Sequence, residues 1–128
     1  MNNENKVLKD NSTDFNSLEI IEKYEDVVNY LYPICLNMAK GHRILRDRIC
    51  DCMFNQIELF IQSAKSNQMS KFYLADANLA MTRCYLRFAN NDKIKLLSHK
   101  QFGILSLKLS EIQLLLDKWI KSSKFNKS

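Results

Sequence analysis

The stretch "KSNQMSKFYLADANLAMTRCYLRF", Lys65 to Phe88, decides the fold. At about 100° per residue, Tyr73, Ala77, Met81, Cys84 and Phe88 share one side of a helix. Phe72, Ala75, Leu79 and Leu86 share a second side, roughly half a turn away. A helix in a monomeric four-helix bundle needs only one apolar stripe. The second stripe requires a cover, and another copy of the same subunit is the most economical one. Phe72, Ala75, Leu79 and Leu86 are therefore read as an oligomer interface; the alternative is one large neighbouring helix that wraps both sides. Arg83 and Arg87 lie between the stripes, on the face of Asp76 and Ala80. Four residues apart, they repel, and neither has an acid three or four positions away. Their counter-charge must come from another helix (Glu58, Glu111 or Asp117), another subunit or a bound anion.

The segments on either side are also helical in pattern. A first helix is expected over about 17–38, with Ile20, Tyr24, Val27, Leu31, Cys35 and Met38 inward and a kink or split at Pro33. Gly41 marks a turn. A second helix is expected over about 43–65, on the stripe Leu45, Ile49, Met53, Ile57, Phe60 and Ala64. Ser70 is a candidate N-cap for the third helix. "SHKQ" reads as a capping box that opens the fourth at Ser98. Phe102, Leu105, Leu109, Ile112, Leu116 and Trp119 then follow a heptad seam, with Trp119 as a core anchor. Long amphipathic helices joined by short links imply an antiparallel four-helix bundle over 17–122. Residues 1–16 read as a polar flexible tail and 123–128 as a basic C-terminal tail.

Composition agrees with an all-α domain. The 128 residues are 46% hydrophobic, with two glycines and one proline, too little turn chemistry for a sandwich or barrel. There is no signal-peptide core and no apolar run of about 18 residues, so a cytoplasmic protein without a membrane span is expected. Cys35, Cys50, Cys52 and Cys84 lie within helical patterns and read as reduced thiols, with no metal site. The net charge of +5 is uneven. Residues 1–32 carry three lysines against seven acids, net −4, whereas 33–128 carry sixteen Lys/Arg against seven acids, net +9. The basic part suits an anionic partner. "KGHRILRDR" supplies Lys40, His42, Arg43, Arg46 and Arg48 at the start of the second helix, where backbone donors add to the attraction for phosphate. Spacing pairs Asp47 with Arg43 and Asp51 with Arg48, leaving Arg46 without a local partner.

No catalytic constellation is legible. The chain has no P-loop, no G-x-G-x-x-G, no H-E-x-x-H and no E-x-x-H pair for a di-metal bundle site, and His42 and His99 stand outside any triad pattern. Neither an enzyme nor a cofactor is expected.

"IIEKYEDVVNYLYPI", "QIELFIQSAKSNQMSKFYLADANLAMTRCYLRF" and "LLLDKWIKS" closely resemble the accessory variability determinant (Avd) proteins of diversity-generating retroelements, over about 18–122. The similarity is weakest in "NMAKGHRILRDRICDCM" and around "NNDKIKLLSHKQF", and Asp117-Lys118 stands where the family tends to small residues. The resemblance implies a four-helix-bundle subunit of a homopentameric barrel with a basic surface. It implies partnership with the element's reverse transcriptase and its RNA and DNA during mutagenic cDNA synthesis, with no catalytic residues of its own. On that reading Lys40, Arg43, Arg46, Arg48, Arg83 and Arg87 are the candidate nucleic-acid or reverse-transcriptase contacts. The other reading is an oligomeric structural adaptor that binds an acidic protein partner, its nucleic-acid affinity incidental.

Overall fold

The computed structural model describes the backbone of residues 2–127 and the side chains of residues 16–124. The proposed N-terminal tail, apart from Asn16, and residues 125–128 of the C-terminal one lie outside the described side chains. Four α-helices and a 3-10 turn follow in order: α1 Asn2–Leu36, the turn Lys40–His42, α2 Arg43–Ser66, α3 Met69–Asn90 and α4 His99–Lys127. No strand occurs among the described residues. Helix α1 packs on α2, α2 on α3, α3 on α4 and α4 back on α1, and the diagonal pairs stay apart. The result is an antiparallel four-helix bundle.

Local chemistry sets the ends. Helix α2 stops at Asn67, which takes left-handed φ 52° and donates its N–H to the Ser63 carbonyl at 3.0 Å. Helix α4 starts with the expected capping box: Gln101 N–H donates to Ser98 Oγ and Ser98 N–H to Gln101 Oε1, both at 3.0 Å. Ser70 is not a cap. It sits in the first turn of α3, behind Gln68, which makes no side-chain cap bond. Pro33 does not split α1, because it lies within the last turn and costs one backbone bond there. Asn37 Nδ2 donates to the Pro33 carbonyl at 2.9 Å, near that end.

The inward stripes of α1 and α4 are those the periodicity picks out. Ile20, Tyr24, Val27, Leu31 and Cys35 are buried, as are Leu105, Leu109, Ile112, Leu116 and Trp119. The Phe72 and Trp119 rings meet edge to face at 4.7 Å between centroids, which anchors α3 to α4 near the α4 C-terminus. In α3 the expected roles of the two stripes are exchanged. Phe72, Ala75, Leu79 and Leu86, expected at a subunit interface, are buried in the core of the single chain and offer a neighbour no surface. The outward stripe is the other one: Tyr73, Met81 and Phe88 are about half exposed. The polar residues Asn78 and Thr82 share the inward face and are themselves buried, which hides the core stripe from a purely apolar reading.

Candidate nucleic-acid interface

In an up-down-up-down bundle, the α1–α2 link and the α3–α4 link emerge at the same end. Contacts confirm this here: Gly41, His42, Ile44, Leu45 and Arg48 line one groove together with Tyr85, Phe88 and Ile94. That juxtaposition joins two basic segments far apart in sequence. Lys40, Arg43 and Arg48 are exposed on the first, and Lys93, Lys95 and Lys100 on the second. Arg87 lies in the last turn of α3, at the same end. No Asp or Glu occurs between Asp26 and Asp47, so this end receives no acid from the second half of α1. The opposite end mixes Glu19 and Glu22 with Lys65, Lys71 and Lys121.

Two acids at the basic end, Asp47 and Asp92, have side-chain partners, whereas the Arg48–Asp51 pair expected from spacing does not form. Asp47 pairs with Arg46 at 3.2 Å rather than with Arg43, because the adjacent guanidinium folds back onto it. This corrects the expectation that Arg46 lacks a partner, and it leaves Arg43 free of ion pairs among the described residues. Asp92 stands 3.6 Å from His99 Nε2, with both side chains largely exposed. Sequence spacing alone does not mark Lys93, Lys95 and Lys100 as site residues. The run "NDKIKLLSHK" carries their charge, but only the antiparallel topology places it beside "KGHRILRDR".

Arg83 and Arg87 sit on the α3–α4 side of this end. They line a pocket of about 180 Å³ with Leu86, Phe102, Ser106, Leu109 and Ser110. Neither makes an ion pair among the described residues, so the candidate partners Glu58, Glu111 and Asp117 do not neutralise them. One nitrogen of Arg83, Nη2, is buried without a hydrogen-bond acceptor. The acids on that flank are occupied otherwise: Gln113 Nε2 donates to both Asp76 and Asp117 at 2.8 Å. A buried guanidinium nitrogen without an acceptor is costly. An anionic oxygen entering the pocket would relieve it.

Three titratable side chains of the core are shifted by burial. Burial pushes the Cys35 thiol up to about 12, and the neighbouring Cys50 thiol adds to the rise. Burial likewise raises Cys52. Tyr24 is raised by burial, and its O–H donates to the Met53 carbonyl at 2.7 Å. Among the described residues no three His, Cys, Asp or Glu side chains are grouped to hold a metal ion. No helix among them is long and apolar enough to cross a membrane.

The profile of the bAvd-like family matches residues 18–123, and the chain belongs to that family. No curated protein matches it. The matched span begins at the first core turn of α1 and ends near the buried Ser123 of α4, so it covers the whole core.

Proposed function

From membership of that family and the charge of one bundle end, we propose that this chain is a non-catalytic accessory factor of a diversity-generating retroelement. It acts in the cytoplasm and binds the element's reverse transcriptase and its template RNA or cDNA. The contacts are Lys40, Arg43, Arg46, Arg48, Arg83 and Arg87. The observation that carries this reading is the Arg83–Arg87 pair, mutually repulsive, without an acid partner and open to a pocket. The subunit works as a homo-oligomer, with a pentamer the stoichiometry implied by the resemblance, so weak phosphate contacts repeat around a ring and add by avidity. The surface available for subunit contact is the outward one. Leu107 and Leu114 of α4, 66% and 70% exposed, lie a heptad apart beside small Gly103 and Ser110.

The test is the double variant Arg83→Glu with Arg87→Glu. Circular dichroism, thermal midpoint and particle size should stay as in the wild type, because no ion pair is broken. Capture of reverse transcriptase and template RNA should fall by at least tenfold, and diversification should cease. A double variant that binds and supports diversification normally would remove these residues from the site. Loss of the folded oligomer would assign them to the architecture instead.

A further inference from the structure

The groove at the basic end has a chemistry that simple phosphate binding does not use. Its volume is about 550 Å³, within the ~300–1,000 Å³ span of ligand sites. Its walls are apolar: Ile44 is 82% and Phe88 52% exposed, with Tyr85, Leu45 and Ile94 behind them. Its rim is cationic, with Arg48 in the lining, Lys40 and Arg43 flanking Gly41–His42, and Lys93 and Lys95 flanking Ile94. The two acids nearest in sequence are drawn to other side chains, Asp47 to Arg46 and Asp92 to His99. An exposed Ile and Phe in a ring of positive charge fit a ligand that is flat and apolar in the middle and anionic at its ends.

We propose that this groove takes an unpaired base of a single-stranded nucleic acid, stacked on Phe88, with the adjoining phosphates held by Lys40, Arg43, Arg48 and Lys95. The assignment rests on the nucleic-acid arm of the function proposed above and specifies which form of nucleic acid that arm favours. A duplex keeps its bases stacked and paired, so it offers the rim its phosphates and the groove nothing. A single strand can splay one base into the groove while its backbone follows the cations. Any base has an apolar face, so the site selects strandedness over sequence. Tyr85 is half-buried against the core and serves as the wall behind the base, leaving Phe88 as the stacking platform.

Fluorescence anisotropy on the full chain would test this with three probes of equal length: an oligouridylate, the same backbone made of abasic sites, and an RNA duplex. The wild type should bind the oligouridylate about five- to a hundredfold more tightly than the abasic strand. Phe88→Ala should remove that preference and leave abasic and duplex binding unchanged, while Phe88→Trp should keep it. Phe88 is half exposed, so both variants retain the core. Arg43→Glu with Lys95→Glu should weaken all three probes and flatten the salt dependence. Equal binding of oligouridylate and abasic strand overturns the proposal. So does a Phe88→Ala variant that binds single strands normally but no longer captures reverse transcriptase, which would give the groove to a protein segment. If the wild type binds none of the three probes, the nucleic-acid arm of the function falls along with the groove. If it binds RNA but Phe88→Ala changes nothing, only the groove falls.

Discussion

Asn78 holds α2 and α3 in register from inside the core. Its Nδ2 donates to the Cys52 carbonyl at 2.9 Å and to Gln56 Oε1 at 2.8 Å. Its Oδ1 accepts from Asn55 at 3.2 Å, and Gln56 Nε2 donates to the Ala75 carbonyl at 2.9 Å. Buried amides are tolerable when every member has partners, and removing one strands the others. Asn78→Ala should therefore cost about 2–3 kcal/mol in urea unfolding, from lost bonds and a buried Gln56 Oε1 left without its donor. A cost under about 0.5 kcal/mol would show that the network is incidental. The thiol of Cys35 makes a second prediction. Its folded pKa is raised from the ordinary 9.0 to about 12, so the folded state prefers the protonated thiol. That stability is complete below pH 9.0 and is lost as pH rises through about 12. The thermal midpoint should fall across this window, with Tyr24 acting in the same direction, and Cys35→Ala should make the fall shallower. An unchanged slope in Cys35→Ala would remove this thiol from the account.

At the level of elements, the clean periodicity of Ile20 to Cys35 and of Leu105 to Trp119 made α1 and α4 legible residue by residue. The paired hydrogen bonds of Ser98 and Gln101 made the start of α4 legible too. Helix α3 is legible as a helix, but which of its faces is buried is not. Its inward stripe includes Asn78 and Thr82, which look like surface residues until Gln56 and the Cys52 carbonyl of α2 are seen opposite Asn78. Thr82 turns its hydroxyl onto the Asn78 carbonyl, 2.9 Å away, a bond local to α3 and unreadable as burial. Its outward stripe, Tyr73 to Phe88, carries larger apolar side chains than a solvated face requires. Part of that face is covered locally, since the Lys124 ammonium stands 5.6 Å from the Tyr73 ring centroid. Helix α4 is the more open face, through Leu107 and Leu114. Replacing both with lysine should leave the helical signal intact and convert the proposed oligomer to monomer by light scattering. A wild-type chain that is already monomeric at micromolar concentration would defeat the oligomer outright.

At the scale of the whole molecule, the function proposed here depends on where the charge sits more than on its amount. The sequence showed two arginine-bearing groups; only the antiparallel path brings a third segment, Lys93 to Lys100, to the same end as Lys40 to Arg48. The opposite end carries lysines as well, but shares them with acids of α1. A diffuse cationic surface and a defined basic end therefore make different predictions for charge reversal. The direct measurement is the salt dependence of RNA binding for the wild type and two double variants. One is Arg43→Glu with Lys95→Glu at the basic end, and the other is Lys65→Glu with Lys121→Glu at the opposite end. A defined basic end requires that the first lose affinity at least tenfold and lose slope in log K against log salt, while the second stays close to the wild type. Equal losses from both variants would contradict it, since the chain would then bind nucleic acid through net charge alone.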